Sequence, residues 1–172
     1  ALNRIDVPDI RWKLNECQRA LSWLLNMQSK NGGWGAFDVD NDKEVLNEIP
    51  FADHKALLDP PTIDVSSRIL WMLSQWGFKR EHPQVARALK FVKEGQELDG
   101  CWFGRWGVNY VYGTFLAMTG LSAMGVDMSQ PFSRKAIQWL EMHQNEDGGW
   151  GETCQSYEEP SLRGRGTSTA SQ

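Results

Sequence analysis

Basic residues, cysteines and long apolar runs are all scarce in this chain, and each shortage closes off a class of function. Eighteen Lys and Arg stand against 22 Asp and Glu, a formal net charge of -4 over 172 residues. Nucleic-acid binding leaves a basic stripe as its electrostatic footprint, and the sequence carries none. No apolar run approaches the roughly 18 residues that a membrane-spanning helix needs, and the N-terminal stretch lacks the apolar core of a signal peptide. Three cysteines, Cys17, Cys101 and Cys154, lie far apart without a CxxC pair. That spacing points to reduced thiols in a cytosolic setting and not to a disulfide frame. The three histidines, His54, His82 and His143, show no ligand spacing for a zinc set.

What the chain has in abundance is tryptophan, nine in all. Aromatic side chains dominate core burial. Trp also lines cavities where a ligand carries positive charge, because its ring face attracts cations best. Composition leaves both roles open.

The tryptophans fall into a repeat. Residues 20–34, 88–102 and 136–150 align without gaps. Each holds an Ala, an aromatic three residues later, then Gln28/Gln96/Gln144, Gly32/Gly100/Gly148 and Trp34/Trp102/Trp150 at fixed offsets. Repetition at fixed offsets marks a supersecondary unit used several times. In the third copy Ala136, Ile137, Trp139, Leu140 and His143 share one face at helical spacing, so an amphipathic helix precedes each Gln. The Gly is expected to stop that helix, since a helix C-terminus favours a residue that tolerates positive φ. The following Trp can fold back over the helix end, and the Gln amide can satisfy orphan backbone groups there. Gln28, Trp34, Gln96, Trp102, Gln144 and Trp150 thus read as structural clamps.

Between the clamps lie segments of another character. Residues 64–76 and 110–124 carry few charges and many small residues, the pattern of a helix buried on all sides. Residues 11–28, 83–96 and 131–144 read as outer helices with one wet face. Thr62 or Asp64, Ser129, Pro83 and Pro131 offer starts. The order outer, inner, outer, inner, outer describes an all-α fold: a curved double layer of helix hairpins, as in an α/α barrel or solenoid. Residues 1–172 form one partial domain on this reading. The final Gly166-Thr-Ser-Thr-Ala-Ser-Gln172 resembles the start of a further inner helix, so the expectation is a barrel portion of five helices that cannot bury its own inner face.

The Gln-x3-Gly-x-Trp units are similar to the QW repeats of the squalene–hopene and oxidosqualene cyclases. Residues 31–41 (NGGWGAFDVDN), Ile49-Pro-Phe51, Asp59-Pro-Pro-Thr62, Asp64-Val65, residues 102–114 (WFGRWGVNYVYGT) and Asp147-Gly-Gly-Trp-Gly-Glu152 resemble bacterial squalene–hopene cyclases more specifically. The resemblance implies an α/α-barrel enzyme that protonates squalene and closes five rings without a cofactor. It also implies a monotopic attachment to the cytoplasmic face of the bacterial inner membrane, and it leaves a homodimer open. The family's proton donor lies in an Asp-x-Asp-Asp string that these residues lack. The segment alone is therefore expected to be inactive. Asp38-Val-Asp40-Asn-Asp42 has the wrong spacing for that motif. It also lacks the Gly and Glu of a calcium loop, with Lys43 and Ile49 in their places, and reads as an acidic surface loop.

The resemblance further implies individual roles. Trp106 is a cavity-lining Trp that steadies an early cation, against the alternative of a core Trp, and Gly104 and Gly107 would let the backbone approach the cavity. Asp64 matches an aspartate near the protonation site, or serves as a cap or first-turn carboxylate of its helix. Arg68 stands where some relatives carry a His that pairs with the acid, and unlike His it cannot exchange its proton. Tyr112 matches a Tyr in the hydrogen-bonded network behind the acid, or is a buried Tyr with a backbone partner. Phe37 falls where a Tyr often lines the cavity, and Phe51 resembles the constriction through which substrate passes. Competing readings are a sterol-forming or other class II terpene cyclase, and a non-catalytic α/α scaffold. The aromatic, Gly-rich block at 102–114 argues against the scaffold.

Overall fold

The structure, a computed structural model, describes residues 10–41 and 58–168. Five α-helices follow one another: α1 (Ile10–Asn26), α2 (Ile63–Gln75), α3 (Pro83–Glu94), α4 (Tyr110–Ala123) and α5 (Pro131–Met142). Among the described residues no strand forms, and only three isolated β-bridges occur. Nor is any described helix long and apolar enough to cross a membrane. The alternation expected from the sequence is present. α2 packs along α4 as an inner pair, and α1, α3 and α5 carry the charged outer faces. This is a wall portion of an α/α barrel.

Two of the outer helices, α3 and α5, start where their sequence allows. Pro83 and Pro131 occupy the first helical positions of α3 and α5, where the missing N–H costs nothing and φ is already helical. The inner pair is close because its facing residues are small. A Cβ on Gly120 would lie 2.7 Å from the Ser67 carbonyl oxygen, so only glycine permits this approach. Leu70, Leu73, Val85, Val92 and Leu121 fill the space between the layers and are fully buried, each worth roughly 1.5–3 kcal/mol of transfer free energy.

The first two clamps each join three helices at once. The indole N–H groups of Trp34, Trp102 and Trp150 donate to the carbonyls of Leu24, Val92 and Leu140, each ten residues back, at 2.7–2.8 Å. Those carbonyls belong to the last turn of α1, α3 and α5, where a helix leaves acceptors orphaned. The Gln amides do something else. Gln28 Nε2 donates to the Gly32 and Gln84 carbonyls, and Gln96 Nε2 to those of Gly100 and Phe132, all at 2.8 Å. Gln84 and Phe132 are the second residues of α3 and α5, so each Gln fastens its helix to the start of the next outer one. The backbone N–H groups of Trp34 and Trp102 reach inward to the hydroxyls of Ser66 on α2 and Thr114 on α4.

Three expectations are corrected here. The Trp, and not the Gln, satisfies the orphan helix carbonyls. The outer helices also end before Gly32, Gly100 and Gly148. These glycines sit later, in the turn, with φ of +98°, +106° and +82°. Gly100 is held there by proximity as well, since a Cβ would stand 2.7 Å from the Lys135 carbonyl oxygen. The inner helices are not buried all round either: Trp71 and Phe115 expose 49% and 61% of their surface.

Candidate active site

The sequence motifs converge where the first turn of α2 meets the loop before α4. Asp64 occupies the second position of α2, fully buried. It does not cap its own helix. Its Oδ2 accepts the backbone N–H of Trp106 at 2.7 Å, while Oδ1 is buried without a hydrogen-bond partner. The Tyr112 phenol is its polar neighbour and interacts with the same carboxylate.

Trp106 stands outside the buried core of the described residues. Its side chain is half exposed, whereas Trp34, Trp102 and Trp139 are buried to 1% or less. The Phe37 ring meets it edge-to-face at 5.6 Å with an interplanar angle of 85°, the geometry that the aromatic quadrupole favours. The Arg105 guanidinium lies 5.8 Å from the centre of the Trp106 ring and donates to the Leu58 carbonyl at 3.1 Å. Residues 42 apart in sequence, Asp64 and Trp106, thus share a site with Phe37.

Arg68 and Tyr112 form its polar side. Arg68 Nη2 donates to the Tyr112 hydroxyl at 3.3 Å, and the guanidinium lies 5.7 Å from the centre of that ring. Burial pushes the Tyr112 phenol above its ordinary pKa. The Asp64 carboxylate raises it further, while Arg68 pulls the other way. The phenol therefore keeps its proton next to a buried carboxylate. Gly104 and Gly107 serve this tyrosine: a Cβ on either would fall 2.6–2.8 Å from the Tyr112 ring. That corrects the expectation that these glycines open the backbone toward a cavity. Phe51 lies outside the described residues.

Three supporting residues escaped the sequence reading. Tyr157 donates its hydroxyl to the carbonyls of Arg105 and Gly107, at 3.3 and 3.0 Å, on either side of Trp106. Glu152 Oε2 accepts the N–H groups of Asn109 and Val111, at 3.1 and 2.9 Å, placing negative charge at the positive end of α4. Asp59 gathers the backbone of the Phe37 loop. Glu152 and Asp59 stand in blocks that resemble known cyclases, but only the chain's return in space shows what their carboxylates hold.

Of the acidic loop, Asp38 and Asp40 lie among the described residues and Asp42 does not. Asp38 is exposed, and Asp40 accepts the Lys30 N–H at 2.8 Å and pairs with its ammonium at 3.3 Å.

Chemically, the arrangement sets two aromatic rings beside a buried carboxylate. A half-exposed indole and an exposed phenyl present π faces, and the buried Asp64 carboxylate is bonded to the backbone of the indole-bearing residue. Such groups steady positive charge by roughly 0.5–2 kcal/mol per ring, with a longer-range contribution from the carboxylate in a dry site.

Comparison with known proteins gives the following. The squalene-hopene cyclase C-terminal domain matches the chain over residues 1–172. The squalene–hopene cyclase of Zymomonas mobilis is 51% identical over 150 residues, covering 87% of this chain and 23% of that protein. That of Alicyclobacillus acidocaldarius is 46% identical over 172 residues, covering 100% and 27% respectively. The dammaradiene synthase of Dryopteris crassirhizoma is 41% identical over 191 residues, covering 100% and 28%. The chain spans between 23% and 28% of the length of these relatives.

Proposed function

The chain belongs to the squalene-hopene cyclase C-terminal domain family, and on that premise we propose that the full-length protein converts squalene to a pentacyclic hopanoid by proton-initiated cyclisation. The observation that carries this reading is the Asp64–Trp106–Phe37 arrangement: a buried carboxylate bonded to the backbone of a half-exposed indole, with a second ring edge-on to it. Squalene has no leaving group, so a strong acid must protonate a terminal alkene, and the positive charge then moves through the forming rings. The residues on this chain take up that charge and do not create it. No Asp-x-Asp-Asp string occurs in the 172 residues, so the donor comes from polypeptide outside them.

Asp64 and the Tyr112–Arg68 pair support that acid. Tyr112 holds a proton to donate, and Arg68 offsets negative charge around the donor. Arg68 cannot relay a proton, so reprotonation of the spent acid passes through Tyr112 and water. The same reading places the full-length protein as a monotopic enzyme on the cytoplasmic face of a bacterial inner membrane, where a hydrocarbon substrate partitions. The isolated segment, without the acid, does not turn over.

The test is incubation of the full-length protein with squalene, followed by product identification by mass spectrometry. Hopene or its hydrated alcohol is the expected product. A product formed only from the epoxide of squalene moves the assignment to sterol-type cyclisation, and no product from either overturns it. Cosedimentation with lipid vesicles checks the membrane reading separately.

A further inference from the structure

Phe37 raises a question that its own side chain does not answer. Its ring is 71% exposed, so packing does little to fix it, yet it meets Trp106 in a defined edge-to-face geometry. What holds it is the main chain. The N–H groups of three successive residues, Ala36, Phe37 and Asp38, all point at the carboxylate of Asp59. Oδ1 accepts from Ala36 at 2.9 Å, and Oδ2 accepts from Asp38 at 2.7 Å and from Phe37. Successive amides converging on one anion form a rigid nest, and bonds to an ionised acceptor are the strong kind. Asp59 is itself buried, 6% exposed, and bridged to Asn41. Gly35 leaves it room, since a Cβ there would stand 2.7 Å from Oδ2.

We propose that Asp59 is a positioning residue for the cyclisation: its carboxylate fixes the backbone of residues 36–38 and thereby aims the Phe37 ring beside Trp106. The proposal rests on the cyclase reading and adds a residue that touches neither substrate nor reacting atoms. A displaced ring leaves a cationic intermediate less steadied. The intermediate then sheds a proton to water from the carbon next to its charged centre. The electrons of that C–H bond become an alkene, and the product leaves with fewer rings.

The experiment uses the full-length protein with squalene. Asp59→Asn replaces one acceptor oxygen by an amide that opposes the backbone N–H groups. The expected result is a fall in kcat of about tenfold to 100-fold, the scale of a misplaced group near the chemistry. KM should stay within about twofold, and the share of incompletely cyclised product should rise at least about fivefold, because only the charged states feel the ring. Product ratio per turnover is blind to the amount of folded enzyme, so a merely structural role does not move it. In a Phe37→Leu background the same substitution should add less than about twofold, since residues acting through one ring are not additive. If Asp59→Asn does not accumulate as folded protein, Gly35→Ala decides by the same criteria, because its Cβ intrudes on the same oxygen. An unchanged product spectrum in the folded variant, or an undiminished effect in the Phe37→Leu background, overturns the proposal. Wild-type protein inert to squalene overturns the cyclase reading instead, and shows before any variant is made.

Discussion

Asp64 and Trp106 are joined by a single bond, 2.7 Å from carboxylate Oδ2 to backbone N–H, that ties the first turn of α2 to the loop before α4. Charge and hydrogen bonding can be separated at this point. Asp64→Asn keeps an acceptor for Trp106 but removes the negative charge from the site. In the full-length enzyme kcat should fall on the order of 100-fold, the scale of a lost preorganised electrostatic group, with melting temperature nearly unchanged. Asp64→Ala removes both, and should lower melting temperature as well as turnover. Paired kinetics and thermal melts on the two variants check this.

Trp106 and Trp102 stand four residues apart and should fail in different ways. Trp106→Leu should cut turnover with little change in KM or melting temperature, and Trp106→Phe should retain part of the rate because a weaker π face remains. Trp102 is fully buried, and its indole N–H caps the Val92 carbonyl. Trp102→Leu should destabilise on the order of 3 kcal/mol and leave activity per folded molecule close to wild type. If Trp106→Leu keeps full specific activity, the site assignment fails.

Gly100 and Gly125 both have positive φ, +106° and +70°, but their surroundings differ. An added methyl at Gly125 meets nothing within 4 Å, whereas at Gly100 it meets the Lys135 carbonyl at 2.7 Å. Gly125→Ala should therefore cost about 1–2 kcal/mol, the left-handed penalty alone. Gly100→Ala should cost measurably more, because α5 must also move. Equal losses in chemical denaturation would show that the contact between clamp and next helix is not tight.

Alkaline pH should weaken the fold. Burial raises the phenols of Tyr110, Tyr112 and Tyr157. Above about pH 10 the unfolded chain gives up these protons while the folded state still holds them. The folded state then binds more protons, so stability falls as pH rises through that window and is complete below it. Tyr110→Phe removes one such group and should make the alkaline decline of melting temperature shallower. A series of melts from pH 8 to 11 on both proteins decides it.

The sequence revealed most where physics repeats. Pro83 and Pro131, the Gln-x3-Gly-x-Trp offsets and the change from charged to small residues located all five helices to within a few residues. The same signals misplaced the detail of the clamp. Spacing alone cannot say whether Gln96 or Trp102 reaches a given carbonyl, because both are long side chains with donors. Asp59 and Tyr157 stayed hidden for a different reason. Each acts on backbone atoms more than 20 residues away along the chain, Phe37 and Gly107 among them. Nothing local in DPPT or QSYE announces a partner that only folding brings near.

The bridge between Asn41 and Asp59 bears on how such a protein can change over time. The chain leaves at one residue and returns at the other, so the two ends of residues 42–58 meet irrespective of what lies between. Lengthening a closed excursion is cheap, about 0.6 kcal/mol for each doubling. The angle of Phe37 and the grip of Asp59 are set by residues that meet across this closure, whatever the length of chain between them.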